Sequence, residues 1–280
     1  PVLLRGETGV GKEVAARRLH DLGRGRDGPF VAVNCAAIPA DLLESTLFGH
    51  EKGAFTGATS RKVGLAEQAG DGMLFLDEIA ELQPELQAKL LRLLQEGVFL
   101  PLGAEAERRF RGRVVAATHA DLEARIADGR FRDDLYYRIN ALELTIPPLR
   151  DRTEDLPCLA TLLLEEANDR LQGPPKTLAP EAADALAAYH WPGNVRELRN
   201  RISRAAVLAD GPEIGVDDLF PEGLLDDRKV ADLAAGALGE AANLAVRERV
   251  RAALERTAGN QSKAARLLGV SRTTIWKYSR

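Results

Sequence analysis

Seven residues, Gly6-Glu7-Thr8-Gly9-Val10-Gly11-Lys12, confine this chain to a narrow set of folds. They fit the pattern G-x-x-x-x-G-K, behind the short apolar run Val2-Leu3-Leu4 and ahead of Val14, Ala15 and Leu19 at helical spacing. Strand, glycine loop and helix in that order turn successive backbone N–H groups and a helix N-terminus toward an anion, with Lys12 reaching the outer phosphates. Such a loop belongs to an α/β domain. The expected nucleotide contacts are Gly6, Glu7, Thr8, Gly9, Val10, Gly11, Lys12 and Glu13, the last standing where Ser or Thr would bind magnesium in the general pattern.

Met73-Leu74-Phe75-Leu76 is an unbroken apolar run ending in Asp77-Glu78, the pattern of a buried central strand that delivers carboxylates to the C-terminal edge of a sheet. Asp77 is the expected magnesium ligand, and Glu78 the group that polarises an attacking water. Two further runs read as strands, Phe30–Val33 ending at Asn34 and Val114–Ala117 ending at Thr118-His119.

The composition, 45% hydrophobic and 29% charged over 280 residues, is that of a soluble globular chain with room for two or three cores. No apolar run is long enough to span a bilayer, and the N-terminus lacks a basic-then-apolar signal pattern. Cys35 and Cys158 have no metal-ligand spacing, so reduced thiols in a cytoplasmic protein are expected. Charge is unevenly spread. Between Leu244 and Arg280 nine basic residues face two acidic ones, a local +7, and with −4 overall the rest of the chain carries −11. A basic tail on an acidic body points to nucleic acid at one end.

Gly53–Ala58 spells GAFTGA, two glycines and two alanines around Phe55 and Thr56. With little bulk to hold it in a core, the segment reads either as a Gly-rich turn or as a loop tip presenting the Phe–Thr pair. Together with the phosphate loop upstream, the acidic strand end downstream and the basic tail, it resembles the loop by which sigma-54-dependent transcriptional activators grip the sigma factor. The resemblance covers essentially the whole chain. It implies an AAA+ P-loop three-layer domain with a helical lid, followed by an all-α helix-turn-helix domain.

Several roles follow from that resemblance alone. It makes Gly53, Ala54, Phe55, Thr56, Gly57 and Ala58 the sigma contact, with ATP and Mg2+ as cofactors. It gives Asn34 the task of restraining Glu78 until that contact is made, with a turn-capping Asn as an equal alternative. It makes His119 a phosphate sensor where most relatives carry Asn, a position at which activators of propionate catabolism are similar. Arg132 and Arg138, six residues apart, would complete the nucleotide pocket of a neighbouring subunit, the alternative being intramolecular pairing with Asp133 or Asp134. Arg196, near the start of a helix after Trp191-Pro192-Gly193, becomes the lid arginine that senses the terminal phosphate.

Pro147-Pro148 marks a boundary, so the expected domains are an α/β core over 1–148, a lid over 149–222, an alanine-rich linker over 223–243 and a DNA-binding domain over 244–280. Helices are expected over Asp155–Leu171 and Ala182–Tyr189. In the tail, Ser262 and Ser271 can cap two short helices around Gly269, a helix-turn-helix layout similar to the factor-for-inversion-stimulation type. Ser271, Arg272, Thr273, Thr274, Trp276 and Lys277 are its candidate DNA contacts, although packing in the core is the more frequent fate of a lone Trp such as Trp276. The chain begins at the lip of its first strand, so adenine-contacting residues and a sensory domain are expected upstream of Pro1.

The expected activity is ATP hydrolysis in a hexameric ring, built from dimers on upstream double-stranded DNA, that remodels sigma-54 RNA polymerase, with no membrane partner. Two alternatives stand beside it: another ring ATPase acting on DNA, and a regulator that binds ATP without hydrolysing it.

Overall fold

The computed structural model describes residues 1–23, 25–171 and 174–221, together with positions 250, 251, 254, 257, 263 and 264. The expected linker and the candidate DNA contacts Ser271, Arg272, Thr273, Thr274, Trp276 and Lys277 lie outside the described residues. The chain divides into two compact units, Pro1–Pro148 with Gly193–Arg196, and Leu149–Pro192 with the residues from Glu197 onward.

In the first unit the elements run β1 (Val2–Arg5), α1 (Lys12–Asp21), β2 (Phe30–Asn34), α2 (Ala40–Phe48), β3 (Gly49–His50), β4 (Lys62–Val63), α3 (Leu65–Gln68) and β5 (Met73–Asp77). They continue with α4 (Pro84–Glu96), β6 (Val98–Phe99), β7 (Arg108–Arg109), β8 (Arg113–Thr118), α5 (Leu122–Ala127), α6 (Asp133–Ile139) and β9 (Glu143–Thr145). Five of the strands form one parallel sheet in the order β2-β5-β8-β1-β9. Two antiparallel ribbons, β3-β4 and β6-β7, stand outside it.

Alternation along the strands builds the three layers. Leu3, Leu74, Leu76, Val114 and Ala116 face one side, with Leu43, Leu47, Leu86, Leu90 and Leu135 packed on them. Leu4, Met73, Phe75, Val115 and Ala117 face the other, covered by Ala16 of α1. A sheet buried on both faces needs apolar residues at every position, which is why β5 reads as a continuous run rather than an alternating one. Helix α1 forms where its spacing predicts, but its buried positions are Lys12, Ala16 and His20, while Val14 is 70% exposed. Pro84 opens α4 and Gly97, at φ 67°, closes it in a left-handed conformation that costs glycine nothing.

The second unit holds α7 (Leu156–Asn168), β10 (Thr177–Leu178), α8 (Pro180–Ala188), most of α9 (Asn194–Leu208), β11 (Glu213–Ile214) and α10 (Val216–Leu219). A short 3-10 turn, Thr153–Asp155, precedes α7, so the expected helix starts later and ends earlier than Asp155–Leu171. Trp191 is fully buried and donates from its indole to Leu186 O at 2.9 Å. The Arg201 guanidinium lies 4.9 Å from the ring centre of Tyr189 and 4.8 Å from that of Phe220, closing an aromatic cluster. Among the described residues, no helix is long and apolar enough to cross a membrane.

Candidate functional site

The C-terminal ends of β1, β5 and β8 meet at one edge of the sheet, because the register pairs Arg5 with Thr118 and Leu76 with Ala116. The loop leaving β1 turns on Gly6, Gly9 and Gly11, at φ 151°, 85° and 105°, angles that side chains rarely adopt. A Cβ on Gly6 would lie 2.7 Å from Ile146 O, whereas nothing stands within 4 Å of one on Gly11, whose surroundings are open. Val10 is buried under the loop, and Thr8 is exposed on it. Lys12 Nζ donates to Gly6 O at 2.9 Å and Glu7 O at 3.2 Å, and lies 4.0 Å from Glu78 Oε1. Burial pushes Lys12 below the usual ammonium value against the pull of Glu78 and Asp77, with Arg196 adding to the lowering.

Asp77 and Glu78 end β5 on opposite errands. The Asp77 carboxyl is raised above its usual value by burial and then by Glu78, with Lys12 opposing. Glu78 takes a left-handed conformation, φ 54° and ψ 49°, and donates its N–H to Asp77 Oδ1 at 3.1 Å. A non-glycine residue there is uncommon and concentrates at functional sites. Burial between these carboxylates also pushes the Cys35 thiol up to about 12, keeping it protonated and inert.

Asn34 lies opposite Asp77 in the sheet and donates from its amide to Asp77 Oδ2 at 3.3 Å, while its Oδ1 accepts from Ala36 and Ala37. The expected Asn34–Glu78 contact is therefore not what this conformation holds. Glu78 is instead met by His119, Nδ1 to Oε2 at 2.7 Å. Glu13 is exposed and paired with Arg17 at 3.5 Å.

Arg132 is the N-cap residue of α6, and Arg138 lies in its last turn. Arg132 makes a bidentate pair with Asp134, at 2.9 and 2.6 Å, the intramolecular pairing that was the alternative for it. Arg138 donates from Nε and Nη2 to Leu94 O at 3.1 and 2.9 Å. Arg196 is exposed and tied by its N–H to Gly9 O at 3.3 Å.

Gly53–Ala58 forms the bend between β3 and β4, with Gly53 N donating to Ala58 O at 2.8 Å and Phe55 40% exposed. Sequence reasoning missed the groups that hold this loop and the arginine segment. Arg108 on β7 bridges Glu51 and Glu67, and Arg61 bridges the same two carboxylates from the loop's other end. Gln87, fully buried in α4, donates to Leu82 O and Arg130 O and accepts from Arg132 N. Asn194, also fully buried, donates to Glu7 Oε2 at 3.0 Å and Thr8 O at 3.2 Å. A polar residue at an apolar position of α4 is the one signal that could have exposed Gln87.

The open, glycine-lined cradle with a buried lysine fits a nucleoside phosphate chain. Among the described residues no group of three or more acidic, His or Cys side chains is placed to hold a metal alone. The Asp77 carboxylate, near enough to the cradle lysine to act on it electrostatically, is the type of donor that magnesium takes beside substrate phosphates.

Sheet order, phosphate loop and acidic strand end together define an AAA+ P-loop fold. Residues 1–145 match the family model described as Sigma-54 interaction domain, 150–234 the AAA+ ATPase lid domain, and 247–277 the bacterial regulatory protein, Fis family. The chain belongs to the family of sigma-54-dependent transcriptional activators. It is 45% identical to the DNA-binding transcriptional regulator NtrC of Azospirillum brasilense over 99% of its length and 63% of the relative's. It is 50% identical to the Nif-specific regulatory protein of Azotobacter vinelandii over 96% of its length and 52% of the relative's. The crystal structure of NtrX from Brucella abortus in complex with ADP superposes at a TM-score of 0.73 with 32% identity, covering 99% of this chain and 63% of that one. The chain thus spans about half to two thirds of the proteins it resembles.

Proposed function

We propose that this chain hydrolyses ATP and uses the energy to drive Gly53–Ala58 against sigma-54 RNA polymerase, opening promoter DNA. The observation that carries the reading is the GAFTGA loop, raised on its own ribbon in the unit that also holds the phosphate cradle. NtrX, solved with ADP and with ATP, supports nucleotide as the ligand.

Gly6 to Lys12 bind the phosphates through backbone N–H groups, Lys12 exchanging its loop carbonyls for phosphate oxygens. Glu13 closes the cradle from the first turn of α1. Asp77 is the magnesium ligand; the metal, when bound, neutralises phosphate charge. Glu78 accepts the proton of the attacking water, and Asn34 and His119 hold the two carboxylates in place. Arg132 and Arg138 act on a neighbouring subunit's nucleotide in a ring. Releasing Arg132 from Asp134 costs little, since both side chains are exposed and water screens the pair. Arg196 reports the terminal phosphate to the lid, and the tail residues Ser271, Arg272, Thr273, Thr274, Trp276 and Lys277 place the assembly on upstream DNA. The core over 1–148, lid over 149–222, linker over 223–243 and DNA-binding domain over 244–280 divide these tasks.

The decisive experiment is open-complex formation by sigma-54 RNA polymerase on a matching promoter. Phe55→Ala is expected to keep ATP turnover and lose open-complex formation, and a variant that still opens the duplex would refute the reading.

A further inference from the structure

Phe55 does not stand free at the end of its loop. Its ring meets the imidazole of His50 nearly at right angles, with centroids 5.0 Å apart and planes inclined at 69°. His50 ends β3 and is 9% exposed; its Nδ1 lies 2.7 Å from Oγ of Ser45, a residue 5% exposed in the last turn of α2. The surrounding backbone is fixed on two sides, by the pairing of His50 with Lys62 and by a bridge from His50 to Leu102 between β6 and β7. The bend then folds back through Ala58 N donating to Phe55 O at 3.0 Å. On its other flank Ala54 abuts Gly103, where a Cβ would come within 2.8 Å of the Ala54 Cβ.

Two polar side chains buried at the root of a loop cost free energy unless they pair. Here the pairing fixes the plane of the imidazole, and a fixed plane is what an edge-to-face contact with a second ring requires. We propose that His50, oriented by Ser45, is the resting seat of Phe55: a positioning residue that stows the tip and that Phe55 must leave to engage the sigma factor. The proposal rests on the reading of Gly53–Ala58 as the sigma contact. An aromatic pair of this geometry biases a two-state balance by about two- to tenfold, enough to favour stowing without locking it.

The seat is testable in the chain alone. Only four histidines are present, so 13C-histidine labelling resolves the His50 ring protons. Without nucleotide they are expected to carry a ring-current shift that disappears in Phe55→Leu and shrinks in Ser45→Ala; identical His50 signals in wild type and Phe55→Leu overturn the proposal. The double variant Ser45→Ala/His50→Leu removes both polar partners and orphans neither. Its affinity for labelled sigma-54 in the absence of nucleotide is expected to rise about two- to tenfold, and unchanged or weaker binding overturns the stowing role. If wild type binds sigma-54 in no nucleotide state, the functional reading fails, and the ring-current shift still decides whether the seat exists.

Discussion

Gln87 offers the sharpest test of how the arginine segment is held. Its amide spends both donating and accepting capacity on backbone, giving to Leu82 O at 2.8 Å and Arg130 O at 3.0 Å and taking from Arg132 N at 2.8 Å. Gln87→Leu keeps the volume and helix propensity but orphans all three groups. The bond to Leu82 O is fully buried, and leaving such a group unpaired costs about 1–3 kcal/mol. The other two are partly accessible and can regain water, so each loses about 0.5–1.5 kcal/mol. The expected destabilisation of the first unit is therefore about 2–6 kcal/mol. With a urea slope of about 2 kcal/mol per molar, the midpoint should fall by about 1–3 M. Because Arg132 N is one of the orphaned groups, turnover at concentrations that favour assembly should fall about tenfold, an activation penalty of about 1.4 kcal/mol, while nucleotide binding by the dilute chain holds. A midpoint shift below about 0.3 M at unchanged slope would show that the amide is not what fixes the segment.

Lys12→Ala removes the buried ammonium that bridges the loop carbonyls and is expected to abolish nucleotide binding, measured by fluorescent-nucleotide titration; retained micromolar affinity would displace Lys12 from its role. Glu123 is held down to about 2 by Arg5 first and then by the Tyr136 hydroxyl. Its pKa is depressed on folding, so its stabilisation is fully present above the unfolded value of 4.5 and is lost as pH falls through about 2. The stability gap between wild type and Glu123→Gln, followed by denaturant titration, should narrow across that window, and a gap independent of pH would contradict the assignment.

The skeleton of the site was legible because it rests on local patterning. Gly6–Lys12 and the run Met73–Asp77 are contiguous, and each carries its own reason for being a loop or a buried strand. What stayed hidden depends on pairings between distant segments. Nothing near Asn34 indicates that its amide turns to Asp77, across the register of β2 and β5, while Glu78 turns to a histidine 41 positions away. Val14 misled for a related reason: the face of α1 that meets the sheet is set by where the phosphate loop releases the helix, so Ala16 is buried and Val14 is not. Gln87 hid because a lone polar residue in an apolar stripe looks like an imperfection until its partners are known, and His50 because its partner Ser45 sits on another element.

Two arginines and two carboxylates alternate at the foot of the GAFTGA loop, one of each on either side of it or beyond. Glu51 precedes the loop and pairs with Arg108, Arg61 follows it and pairs with Glu67, and the ring closes through Arg61 with Glu51 and Arg108 with Glu67. A tug on the β6-β7 hairpin through Arg108 therefore pulls the two feet together instead of prising them apart. The tip would travel as a carried load, its shape preserved, much as a bucket moves with both ends of its handle in one grip.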